Sequence, residues 1–238
     1  MGSNSFKFKQ FTVFHDRCAM KVGTDGVLLG AWADIGGCRS ILDVGTGSGL
    51  IALMMAQRNG LASITAIEID SDAAMQAREN VICSPFRGRI EVLPLSLQEF
   101  QSTVTGKFDA IVSNPPFFVN SLPSPDLRRT GARHAGSLTA DELFSISRKL
   151  LSESGTLSLI YPFQDRELVM AAASRGGFGL SRETVVYPTP TLPPKRVLME
   201  FTAGPGGESV GNDLVIEEER HRYSPAFATL VRDFYLYL

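Results

Sequence analysis

The chain has 238 residues, a mass of 25.8 kDa, 44% hydrophobic and 20% charged side chains, and a formal net charge of −2 with a pI near 6.0. This balance fits one α/β domain with an ample core. It excludes overall electrostatic attraction to nucleic acid, so any such contact has to come from a local patch. Cys18, Cys38 and Cys83 lie far apart with no CxxC pair, which matches neither a zinc site nor a disulfide framework. A reduced, cytoplasmic, metal-free protein is expected. No apolar run approaches the ~18–20 residues of a membrane span, and Met1–Ser5 lacks an apolar signal core.

In chain order, Phe6, Phe8, Phe11, Val13 and Phe14 read as short strand pieces. Thr24 or Asp25 is placed to cap an apolar helix over Val27–Trp32. From Ser40 the alternation becomes regular. Strands are expected over 41–44, 64–69, 90–93, 108–112 and 155–161. Helices are expected over 50–58, 72–81 (begun by Ser71 or Asp72), from Ser137–Thr139 to about Leu151, and over 164–175. A long polar loop, 118–137, interrupts this pattern. Beyond Gly177 the chain turns strand-rich, over 180–187, 196–202 and 214–218, and ends in a short apolar helix after Tyr223. Strands alternating with helices imply a parallel sheet covered on both faces. The antiparallel pair at the end points to a class I, Rossmann-like methyltransferase fold. That fold is a seven-stranded, mostly parallel sheet with one antiparallel strand, in a three-layer α/β sandwich. An ordinary dinucleotide-binding fold is the alternative.

Asp43-Val44-Gly45-Thr46-Gly47-Ser48-Gly49 ends one strand and precedes a helix. Glycines there let the backbone turn sharply and approach a ligand. The spacing is GxGxG rather than the dinucleotide GxGxxG. Asp43 suits a cationic ligand such as S-adenosylmethionine and would repel a pyrophosphate. Glu68, about 20 residues on, is placed to accept ribose hydroxyls. Asp70 is its competitor or the cap of the following helix.

Asn114-Pro115-Pro116-Phe117 follows the fourth strand, at the edge where ligands bind in open α/β sheets. The prolines fix φ. The Asn114 side-chain oxygen and the Pro115 carbonyl then form an acceptor pair for a planar NH2 group, and Phe117 offers a ring to stack on its base. Such chemistry is mostly positioning and hydrogen bonding.

These stretches resemble the bacterial tRNA(Val) adenosine N6-methyltransferases, which modify adenosine-37 beside the anticodon. The resemblance covers most of the chain and is carried by 8–11, His15–Trp32, Asp43–Leu50, Ser113–Phe117 and Pro194–Leu198. It implies an S-adenosyl-L-methionine cofactor and a tRNA substrate. It places Lys21, Gly23 and Thr24 near the cofactor, together with Asp43, Gly45, Gly47, Glu68 and Asn114. Residues 1–34 become a lid segment and residues 35–238 the methyltransferase domain. Two departures stand out. Phe117 replaces a frequent Tyr, and Ser96 occupies the position where an acid commonly meets the adenine amino group.

Arg128, Arg129, Arg133 and His134 follow Phe117, and Lys195-Arg196 and Arg220-His221-Arg222 add further charge. Pro116, Arg128, Arg129, Arg133, Lys195 and Arg196 are the candidates for gripping RNA. Rival readings are methylation of a guanine N2 in rRNA, an adenine in DNA or a glutamine in protein. A dinucleotide oxidoreductase and a non-catalytic RNA-binding module belong to other classes.

Overall fold

The computed structural model describes residues 4–18, 20–115, 138–206 and 209–238. An N-terminal hairpin, β1 (Ser5–Lys7) and β2 (Thr12–Phe14), leads to α1 (Thr24–Trp32). Then come β3 (Ser40–Val44), α2 (Leu50–Arg58), β4 (Ser63–Ile67), α3 (Ser71–Ile82), β5 (Ile90–Leu93), α4 (Leu97–Thr103) and β6 (Phe108–Ser113). Beyond residue 137 follow α5 (Ala140–Leu150), β7 (Leu151–Pro162), a 3-10 turn (Phe163–Asp165), α6 (Arg166–Arg175), β8 (Phe178–Tyr187) and β9 (Arg196–Ala203). The chain finishes with β10 (Val210–Val215), β11 (Glu217–Glu219), β12 (Arg222–Tyr223) and α7 (Pro225–Val231).

The main sheet has the order β10-β8-β9-β7-β6-β3-β4-β5. Every pairing is parallel except those of β9, which runs against both β7 and β8. Side chains alternate strictly between two apolar cores. Ile41, Ile64, Ala66, Ala110, Val112 and Leu198 face one core, shared with α1, α2, α3 and α7. Leu42, Ile67, Ile111, Leu159, Val197 and Met199 face the other, shared with α4, α5 and α6. That alternation is the period-two consequence of the pleat, and it produces the three layers. The chain fills the sheet outward from β3 to β5 and then reverses to β6 and β7. The switch point therefore lies between the carboxyl ends of β3 and β6, where open α/β sheets bind ligands.

Three details differ from the sequence expectations, and one open alternative is resolved. The sheet has eight strands rather than seven, because β10 adds in parallel at the outer edge beside β8. Its first residues, Val210–Asp213, are exposed and mostly polar, so they carry no alternation to read. Helix α4 was not expected, since only Leu97 and Phe100 of its seven residues are buried. The N-cap of α1 is Gly23, without a side-chain bond; Asp25 is turned instead to the Arg196 guanidinium, at 2.8 Å. Helix α3 begins at Ser71 and is capped by Asp70, which accepts the amides of Asp72 and Ala73 at 2.9 Å, so Asp70 takes the second of the two roles open to it.

The N-terminal segment shares the larger core. Phe8, Phe11 and Val13 are buried in it beside α1, α2 and α7. Helix α1 lies close on α2 because Gly26 and Gly30 face it. A Cβ at Gly30 would come within 2.8 Å of Met54 Sδ and 3.1 Å of Met54 Cβ. Asn80, buried on α3, donates to the carbonyls of Phe14 and Ser48 and accepts the Phe14 amide. One side chain thus fastens the hairpin to the glycine turn.

Candidate active site

The turn after β3 is left-handed at Gly45 (φ 71°), Gly47 (φ 55°) and Gly49 (φ 82°), a region costly for residues with a Cβ. Open space surrounds the positions where Gly45 and Gly47 would carry a Cβ. The backbone there is bare toward a ligand. The amides of Gly45 and Thr46 both donate to the Ile67 carbonyl, at 2.9 and 3.0 Å, which fixes the turn to the end of β4. Glu68 completes the clamp. Its Oε2 accepts the Gly47 amide at 2.9 Å and its Oε1 the Asp70 amide at 3.0 Å. Each carboxylate oxygen retains a further lone pair for a ligand hydroxyl.

Asp43 does not face the pocket. It is fully buried, and its Oδ2 accepts the Thr46 hydroxyl at 2.6 Å and the Ala52 amide at 3.1 Å. It therefore braces the turn and the first turn of α2 rather than meeting a cationic ligand. Burial pushes its carboxyl up to about 7. The Thr46 and Ala52 bonds oppose this rise, and the Glu68 charge adds to it.

A cavity of about 230 Å³ opens at the switch point. The glycine turn and Glu68 form one wall, Ser96–Gln98 another, and Ser113–Pro115 a third. Ser113 Oγ donates to the Val44 carbonyl at 2.8 Å and ties the ends of β6 and β3 together. Asn114 follows at once. Its Oδ1 is buried and has no hydrogen-bond partner among the described residues. Such an orphan acceptor costs ~1–3 kcal/mol unless a ligand donor meets it. Pro115, also in the wall, is buried.

Ser96 lines the cavity but is occupied as the N-cap of α4. Its hydroxyl accepts the Glu99 amide at 3.1 Å and donates to the Glu99 carboxylate at 2.7 Å, while its own amide also donates to that carboxylate. The same bonds hold the Glu99 carboxyl below its ordinary pKa. Lys21, Gly23 and Thr24 do not line this cavity. Gly23 and Thr24 border a second hollow behind it, and Lys21 is exposed. The segment's contribution to the first cavity comes earlier, from Cys18 and Met20. The Cys18 thiol is pushed up to about 11, by burial first and then by Glu68, Asp70 and Asp16, so it stays protonated.

The reversal of β9 brings Lys195 and Arg196 to the ligand edge, since Arg196 pairs with Pro162 at the end of β7. Lys195 is exposed there, whereas Arg196 is held by Asp25. Pro116, Phe117, Arg128, Arg129, Arg133 and His134 lie outside the described residues. Sequence reasoning missed Cys18, Met20, Ile69, Leu95, Gln98 and Leu138 as lining residues. Cys18 and Met20 lie inside the His15–Trp32 signature but were not singled out within it, and the other four carry no motif and are signalled only by their proximity to the strand ends. Among the described residues no group of three His, Cys, Asp or Glu side chains is placed to hold a metal. No described helix is long and apolar enough to cross a membrane.

Residues 26–172 match the methyltransferase small domain family. A tRNA1(Val) (adenine(37)-N6)-methyltransferase of Parabacteroides distasonis is 51% identical over 236 residues, covering 99% of each chain. The enzyme of the same name from Phocaeicola vulgatus is 50% identical over 97% of each chain. That from Klebsiella pneumoniae is 42% identical over 99% of this chain and 96% of its own. Among solved structures, one described as a predicted O-methyltransferase from Agrobacterium tumefaciens superposes with a TM-score of 0.70. At 22% identity it covers 88% of this chain and 96% of that one, a likeness of fold alone. A signature segment at the N-terminus, a left-handed glycine turn, and an Asn-Pro step at the switch point thus occur in one chain with full-length relatives of one name. The chain belongs to the tRNA1(Val) (adenine(37)-N6)-methyltransferase family, within the methyltransferase small domain family.

Proposed function

We propose that the protein methylates the N6 amine of adenosine-37 in a valine tRNA, with S-adenosyl-L-methionine as donor, in the cytoplasm. The observation that carries this reading is the buried, unpartnered Asn114 Oδ1 in the same cavity as the bare glycine turn, which begins one residue past the paired Val44 and Ser113.

The residues present fit the cofactor. Gly45 and Gly47 leave open backbone on the cavity side. Glu68 has acceptor capacity left for both ribose hydroxyls. The first-turn amides of α4, at Leu97 and Gln98, have no intrahelical partner and border the same cavity. They are donors for the edge of an adenine, in place of the Ser96 side chain. When bound, S-adenosylmethionine supplies a methyl group on a sulfonium, a strong electrophile that needs no metal.

Asn114 Oδ1 and the Pro115 carbonyl accept the two hydrogens of the substrate amine. Holding both favours a pyramidal nitrogen and frees its lone pair. Asn114 takes no proton, because an amide oxygen is not basic at neutral pH; the surplus proton of the methylated amine would pass to water after transfer. The rate gain comes from orientation in a site already built. Phe117 stacks on the base and Pro116 shapes its pocket. Arg128, Arg129, Arg133 and Lys195 neutralise phosphates. Arg196 reaches them only by leaving Asp25. Swinging a stacked base into the pocket costs a few kcal/mol, and these contacts offset it. The segment before residue 35 acts as the lid, with Cys18 and Met20 as its cavity-facing residues.

The deciding experiment is transfer of labelled methyl to total tRNA, followed by nucleoside mass spectrometry. The expected product is N6-methyladenosine in a valine tRNA. Labelled N2-methylguanosine or labelled protein would overturn the substrate assignment.

A further inference from the structure

Behind the segment that lines the methyl-transfer cavity lies a second hollow of about 390 Å³, within the ~300–1,000 Å³ range of pockets that hold small ligands. It is walled by the hairpin, the start of α1 and the C-terminal tail. Its lining is aromatic: Phe6, Tyr223, Tyr235 and Tyr237. These rings are not buried core. Phe6 is 37% exposed, Tyr223 36% and Tyr237 87%. Phe6 and Tyr223 are held in place, with Phe6 5.7 Å from Tyr235, Tyr235 6.3 Å from Tyr223, and Tyr223 4.9 Å from the buried Phe227. Lys7 is the one charged residue lining the hollow among the described residues, and no carboxylate side chain lines it. Lys7 is exposed and has no ion-pair partner among the described residues.

Two anchored, half-exposed rings, Phe6 and Tyr223, a largely exposed one, Tyr237, and a cation without an ion pair form the combination that binds single-stranded nucleic acid, rings taking base faces and the cation a phosphate. The hollow is also close to the site along the chain. Cys18 and Met20 line the first cavity, and Val22, Gly23 and Thr24, a few residues on, line the second. One short stretch of chain separates the two. We infer that this hollow is a docking site for an unpaired nucleotide of the tRNA substrate next to the one being methylated, with Tyr237 and Phe6 stacking on its base and Lys7 holding its phosphate.

This rests on the RNA reading above and deepens it. It explains why a chain of net negative charge needs a second grip besides the loop after Phe117. It also gives the signature around Gly23 and Thr24 a role in shaping the RNA site.

The test uses the full chain carrying Tyr237→Ala or Lys7→Ala. Both side chains are exposed, so neither change disturbs packing. Three readouts are taken: KM and kcat for tRNA, the salt dependence of tRNA binding, and S-adenosylmethionine affinity by calorimetry. Tyr237→Ala is expected to raise KM for tRNA about tenfold with kcat nearly unchanged. Lys7→Ala is expected to lower the slope of log affinity against log salt by about one. Cofactor affinity stays as in the unaltered protein. If the unaltered protein methylates tRNA and both variants match it in KM and salt slope, the hollow is not an RNA site and the inference fails alone. If the unaltered protein transfers no methyl to tRNA, the functional reading itself fails, and the inference with it.

Discussion

Glu68 and Gly47 are joined by a hydrogen bond from the glycine amide to the carboxylate, 2.9 Å long, within one wall of the cavity. The residue assigned to the ribose therefore also fixes the turn that the cofactor sits against. Glu68→Ala removes both functions. It is expected to weaken S-adenosylmethionine binding by about 10- to 100-fold, the weight of one or two charged hydrogen bonds. Glu68→Gln keeps one acceptor and should fall between. Calorimetry on the three proteins measures this, and equal affinities would remove Glu68 from the cofactor site.

Asn114→Ala separates binding from chemistry. The side chain offers its Oδ1 to the substrate amine, and that oxygen makes no hydrogen bond to the turn or to Glu68 among the described residues. Cofactor affinity is expected to stay within about threefold, while kcat falls about 100-fold or more, as when one preorganised polar group is removed from an active site. Single-turnover transfer with saturating tRNA reads the loss directly. Retention of near-normal turnover would end the proposed acceptor role.

The buried Asp43 carboxyl makes stability depend on pH. Its value in the folded chain, about 7, lies above its ordinary 3.8. Between those limits the folded chain holds a proton that the unfolded chain has shed. This group's contribution to stability therefore falls as pH rises from about 4 to about 7, and returns on acidification. Asp43→Asn carries no titrating group. The melting temperature of the unaltered protein, relative to that of the variant, should rise as pH drops from 7 to 5. Parallel melting curves across that window would show that the carboxyl stays ionised.

Ser96→Ala tests whether the hydroxyl serves the helix or the cofactor. Loss of an N-cap costs ~0.5–2 kcal/mol, which for a chain of this size lowers the melting temperature by about 1–8 °C. S-adenosylmethionine affinity is expected to move less than threefold. A large loss of affinity with an unchanged melting temperature would reverse the assignment.

The sheet was legible because burial on both faces leaves near-continuous apolar runs such as Ile41–Val44 and Ala110–Val112. The glycine turn, Glu68 and Asn114 were legible because each sits at a strand end with a residue type that packing alone does not call for. The eighth strand was only partly legible, since an edge strand like Val210–Asp213 needs neither face buried. Asp43 was misread because sequence gives its place at a strand end but not the direction of its carboxylate. Helix α4 did announce itself, in the Ser96–Glu99 capping-box spacing. The apolar stripe behind that signal is short, with only Leu97 and Phe100 buried. Nothing in the sequence marks His15 as buried, yet it is, and its Nδ1 accepts the Val22 amide at 3.4 Å. The glycines at 26 and 30 were read as part of a family signature. Their physical reason, the close approach of α1 to Leu50 and Met54, appears only in three dimensions.

The backward course of β9 has a consequence for how such a scaffold can diversify. The connection from β8 to β9, residues 188–195, is a hairpin at the rim where substrate arrives, and it contains Pro188, Pro190, Pro193 and Pro194. Those rings stiffen it, so it projects as a fixed arm bearing Lys195 rather than a floppy tether. Being a hairpin, it can grow or shrink without shifting the partners of either strand. A lineage can thus retune which RNA shapes it admits by editing one arm, while the donor pocket is inherited untouched.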